Sequence, residues 1–81
     1  MMEWQEMAEF DRITHVPGLM GGRPTIRGMR VTVGMILDQI ANGYSIDQIL
    51  DAYSYLERED IEQAVRYARR RLDEPDYDLA S

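Results

Sequence analysis

The basic residues of this 81-residue chain are nine arginines, with no lysine, against fifteen acids. Three of them, Arg23, Arg27 and Arg30, fall between Gly21 and Val33, a stretch without a carboxylate in a chain of formal charge −6. A guanidinium offers donors in a planar fork that matches phosphate or carboxylate, so this local excess of positive charge points to an anionic partner. In an extended ribbon Arg23 and Arg27 share a face. As a contact surface that face meets DNA phosphates or a carboxylate-rich protein. As a structural one it pairs with Asp38, Asp47 or Asp51 of its own chain or of a twin subunit. The seven carboxylates between Asp38 and Glu62, with Arg58 alone among them, favour the second option. A further set, Arg66, Arg69, Arg70 and Arg71, closes the last helical pattern. It is a phosphate patch, a set of arginines for a partner's acidic site, or, most simply, a solvated end that answers the helix dipole.

Other chemistry is poorly supplied. Cysteine is absent and His15 is the lone histidine, so disulfides, thiolate zinc sites and imidazole clusters are excluded. Gly21 and Gly22 resemble a phosphate cradle only superficially, because no lysine completes one. Glu59, Asp60 and Glu62 have the spacing of an exposed helix start rather than of a metal site. No nucleophile stands beside a base, so no cofactor is implied and an enzyme is disfavoured. The acidic balance opposes nucleic-acid binding through bulk charge. No apolar run approaches the roughly 20 residues of a membrane helix, so a soluble cytoplasmic protein is expected. A single core of this size rarely supplies more than about 3 to 5 kcal/mol, and self-association is the structural aid left over. Tyr44, Tyr53, Tyr55 and Tyr67, with Met20, Met29 and Met35, exceed what so small a core can hide, which also points to a homodimer.

The elements that must position the arginines follow from periodicity and punctuation. Residues 1–9 read as a flexible lead, 10–73 as the folded domain and 74–81 as an acidic free tail. Phe10 to Val16 alternates as a strand and is stopped by Pro17-Gly18. Gly21, Gly22 and Pro24 shape a turn into a second strand, Thr25 to Arg27, its natural pairing partner. Gly28 breaks that strand, and Met29 to Val31 is again extended. Val33, Ile36, Leu37, Ile40 and Ala41 form a helical stripe capped by Thr32 and ended by Asn42-Gly43. Ser45 and Gln48 form a capping box for a second helix with Ile46, Ile49, Leu50 and Tyr53 inward. A third helix starts near Arg58 behind a weak Glu57 cap, and its expected core stripe is Ile61, Val65, Ala68 and Leu72, with Ala64 beside it. Short helices joined by tight turns resemble a helix-turn-helix module, in which the third helix reads DNA. Of the residues near its start, only Arg58, Gln63 and Arg66 suit that task, and Glu59, Asp60 and Glu62 repel phosphate.

From Gly21 to Val33 the order Gly-Gly-basic-Pro-x-Ile-x-Gly-x-Arg-Val-x-Val, with Arg12 to Thr14, Pro17-Gly18, Ile36-Leu37, Ile49-Leu50, Asp60-Ile61 and Tyr67-Ala68, resembles the prokaryotic family catalogued as domain of unknown function 433. The likeness covers Phe10 to Leu72. Ser54 departs from the proline often found there, and Glu57 from the usual Thr or Ser cap. The resemblance implies a mainly α domain, a short β-hairpin followed by a homeodomain-like or winged helix-turn-helix. It also implies a VapB-type antitoxin encoded beside a PIN-like ribonuclease toxin. On that expectation the protein is a non-catalytic homodimer that binds such a toxin and its own operator DNA. Arg23, Arg27, Arg30, Arg58, Arg66, Arg69 and Arg70 are then the contact residues. Gly21, Gly22, Pro24 and Gly28 carry the structural motif. The alternative is an adaptor homodimer without nucleic-acid binding.

Overall fold

Glycine and proline separate the elements as the sequence pattern requires. A computed structural model describes residues 10–73 and runs β1 (Ile13–Thr14), a turn at Met20–Gly22, β2 (Thr25–Ile26), α1 (Val33–Ala41), α2 (Ile46–Ala52) and α3 (Arg58–Leu72). The lead at 1–9 and the tail at 74–81 lie outside the described residues. The domain is mainly helical, with one small antiparallel sheet in which Ile13 pairs with Ile26 and Thr14 with Thr25.

Both strands are shorter than the alternation predicts. Phe10 to Ile13 is a turn closed by the Ile13 N–H on the Phe10 carbonyl at 3.0 Å, so the chain reaches the sheet only at Ile13. At the other end Arg27 adopts φ +48°, outside strand geometry, and Gly28 follows at +70°. These two residues open a four-residue loop, closed by the Ile26 N–H on the Val31 carbonyl at 2.9 Å. A bridge between Thr25 and Thr32 then returns the chain beside β2, but Met29 and Arg30, expected to be extended, are bends of that loop instead. Three consecutive residues, Met20, Gly21 and Gly22, also have positive φ, which glycine tolerates without Cβ strain. So short a sheet is held largely by side chains: Thr14 and Thr25 hydroxyls lie 2.8 Å apart, and the Gly28 N–H donates to Thr14 Oγ1 at 2.9 Å.

The helix caps follow the sequence closely. Thr32 Oγ1 accepts from the Met35 N–H at 2.9 Å, and Ser45 and Gln48 close their reciprocal box at 3.1 and 2.8 Å. Gly43, at φ +94°, ends α1 in the left-handed geometry that favours glycine. One core joins the layers: Ile26 and Val31 from the loop sheet, Val33 and Ile36 from α1, Ile49 from α2, Leu56, and Ile61 and Ala64 from α3.

The stripe expected on α3 needs correction. Ile61 and Ala64 are buried and Ala68 packs at the edge of the core, but Val65 is 40% exposed and Leu72 69% exposed. The buried face instead runs through Asp60, Ile61, Gln63 and Ala64. The β element presents polar groups to α3, and the helix turns two polar residues toward them.

Candidate functional site

Asp60 is fully buried and sits where three parts of the chain meet. It occupies the third position of α3, and its Oδ2 accepts the Glu57 N–H at 2.8 Å, so the acid side chain supplies the cap that the Glu57 side chain does not. From the β element Arg27 donates Nε to Oδ1 at 3.0 Å and Nη2 to Oδ2 at 2.7 Å, a two-pronged contact. Arg12 adds Nη1 to Oδ1 at 2.9 Å and also reaches Glu57 Oε1 at 2.6 Å. Arg27 Nη2 further donates to the Tyr55 carbonyl at 3.0 Å, which ties the loop before α3 to the turn after β2. Gln63, one turn along, accepts the Arg12 N–H at 3.0 Å and donates to Asp11 at 2.8 Å.

The electrostatics follow from this geometry. Burial alone would push the Asp60 carboxyl up, but the hydrogen bonds from Arg27, Glu57 and Arg12 outweigh it and hold the group below the ordinary carboxylate range. Hydrogen bonds to Glu57 and Asp60 raise the Arg12 guanidinium, and the bonds to Asp60 raise that of Arg27. Gln63 in turn lowers the Glu59 carboxyl, helped by Arg66. All buried side-chain polar atoms among the described residues are satisfied. The cluster is therefore a neutralised strut between the sheet and α3, without an open position for a ligand.

Of the three signature arginines, Arg27 alone makes an ion pair among the described residues. Arg27 does not share a face with Arg23: its left-handed backbone and its bonds to Asp60 turn it inward, and its partner is none of Asp38, Asp47 and Asp51. Arg23 and Arg30 are exposed, and neither makes an ion pair among the described residues. Arg23 lines an open cavity at the start of α1 together with Pro24, Thr32, Gly34, Met35 and Asp38. On α3, Arg58 pairs with Asp47, Arg66 with Glu59 at 3.0 Å and Arg69 with Asp73 at 3.2 Å, while Arg70 lies on the exposed face. Gln63, a candidate base reader, is buried and committed. His15 Nε2 and the Tyr67 hydroxyl lie 3.1 Å apart, and Tyr67 also meets Phe10 edge to face at 5.4 Å.

Sequence reasoning misplaced Asp60 and did not single out Arg12. Glu59, Asp60 and Glu62 looked like one exposed acidic start, yet Asp60 stands four residues before Ala64 and shares its buried side. That register was the available signal.

A model of a protein family described as "Protein of unknown function (DUF433)" matches residues 13–68, which hold both strands, the signature loop and most of α3. The chain belongs to this family. An uncharacterized protein of Sinorhizobium fredii, y4eO, is 38% identical over 56 residues, 69% of this chain and 25% of that protein, so the chain spans a quarter of that relative's length. The crystal structure of a DUF433 member protein from Anabaena variabilis is similar at 25% identity and a TM-score of 0.73, covering 99% of this chain and 78% of that one. Three helices behind a short hairpin are thus the DUF433 architecture of this chain. Among its described residues no helix is long and apolar enough to cross a membrane. No three of its described histidine and acidic side chains group as a metal site would.

Proposed function

We propose that this DUF433 domain is a non-catalytic protein-binding module that acts as a homodimer and offers arginines to an acidic partner surface. The antitoxin-type form of this reading has a PIN-like ribonuclease toxin as the partner. The observation that carries it is the division of the signature arginines: Arg27 is bonded to Asp60, while Arg23, just before β2, and Arg30, in the loop after it, are exposed and without an ion pair among the described residues. An unpaired guanidinium gives up no existing ion pair when a carboxylate arrives, which favours binding there.

Operator DNA is the weaker part of the proposal. Arg58 and Arg66 each hold a carboxylate of this chain and Gln63 is buried, so the start of α3 has little to present to base edges. The same observation favours the second reading, an adaptor homodimer without nucleic-acid binding. The test starts from the neighbouring gene. If it encodes a PIN-like ribonuclease, the purified pair should form a stoichiometric complex that suppresses RNA cleavage, and Arg30→Ala should weaken it by about tenfold. Absence of a complex at micromolar concentrations would refute the toxin-binding proposal. A gel shift on the chain's own promoter region at about 50 mM salt separates repressor from adaptor.

A further inference from the structure

The cavity at the start of α1 holds one arginine and one aspartate, Arg23 and Asp38, and neither pairs with the other or with any described residue. Both are exposed, and Met35, 38% exposed, and Pro24 supply apolar surface beside them. Gly34 leaves the helix backbone open: a Cβ there would meet only Thr32 Oγ1, at 3.8 Å. Phosphate or an acidic protein is attracted by Arg23 but repelled by Asp38, so the cavity suits neither well. A patch with one cation, one anion and an apolar centre is complementary to itself under a two-fold rotation, the commonest symmetry of protein oligomers.

We propose that a second copy of this chain docks on this cavity, with Arg23 of each protomer on the partner's Asp38 and the two Met35 side chains meeting over the open Gly34 backbone. The proposal rests on the self-association suggested above and assigns its surface. It leaves Arg30, outside the cavity, to a different partner.

Sedimentation equilibrium of the full chain at low salt tests it. The native chain is expected to be a dimer. Arg23→Asp and Asp38→Arg each place like charges opposite one another twice per dimer, and each should weaken association by about tenfold or more. The two substitutions together restore the pairs in reversed order and should recover the native constant to within about threefold. Gly34→Gln should also weaken the dimer while leaving the far-UV circular dichroism intact. A native chain that remains a monomer at about 100 µM overturns self-association itself. A dimer indifferent to all these variants keeps self-association and overturns this surface.

Discussion

Replacing Asp60 with asparagine removes the charge on which the β element and α3 converge. The carboxylate accepts four hydrogen bonds, from Arg12 Nη1, Arg27 Nε, Arg27 Nη2 and the Glu57 N–H. An amide keeps one acceptor oxygen and turns an NH2 group toward the remaining donors. Breaking a buried ion pair by removing one partner costs about 3 to 5 kcal/mol. The Arg12 and Arg27 side chains are 27% and 37% exposed, so water recovers part of their lost bonding. The expected cost is therefore near the lower end, about 2 to 3 kcal/mol. Against a total of about 3 to 5 kcal/mol for a domain this small, that leaves the variant marginally folded, with its melting midpoint lowered by about 10 °C or more. Urea unfolding followed by far-UV circular dichroism measures it, with exposed Asp51→Asn as a control expected within about 0.5 kcal/mol of the native chain. A loss for Asp60→Asn below about 1 kcal/mol would refute the strut.

Acid should remove the same contribution. The folded Asp60 carboxyl lies below its ordinary value of 3.8, so protons bind the unfolded state more readily, and the contribution is fully present above that value. It declines as pH falls from there through the folded-state value, so the gap between native chain and Asp60→Asn should narrow below about pH 4, and a gap constant down to about pH 3 would contradict this. Arg27→Ala should cost about 2 kcal/mol by denaturant titration and Arg30→Ala less than about 0.5, because only the first breaks bonds to a buried carboxylate. Gly28→Ala, which meets no atom within 4 Å but needs φ +70°, should lower stability by about 1 kcal/mol through backbone strain alone. Thr32→Ala should cost about 1 kcal/mol by loss of the cap to the Met35 N–H, read from the same titration.

Local signals located every helix. Thr32, Ser45, Gly43 and the start of α3 at Arg58 act through bonds within a few residues, so their effect is written in neighbouring positions. The stripes on α1 and α2 were legible in part for the same reason: Val33, Ile36 and Ile49 are buried where the helical period put them, while Ile40 and Ala41, at the end of the expected α1 stripe, are exposed. The strands were legible in place but not in length, because Arg27 takes a left-handed backbone that no arginine favours by itself. Bonds to Asp60 and the Tyr55 carbonyl, 33 and 28 residues away, hold it there.

The sequence by itself determined a single small domain, its turns and caps, its family signature and the absence of thiol chemistry. Charge and spacing could not distinguish Arg27 from Arg23 and Arg30, and only its register with Ala64 marked Asp60 off from Glu59 and Glu62. Only the tertiary structure decided which guanidinium turns inward and which stay free. Burial of Asp60 beneath the sheet makes an unpaired charge there costly, so the two arginines within reach are drawn to it. The arginines beyond that reach, Arg23 and Arg30, remain on the surface, where a partner can meet them.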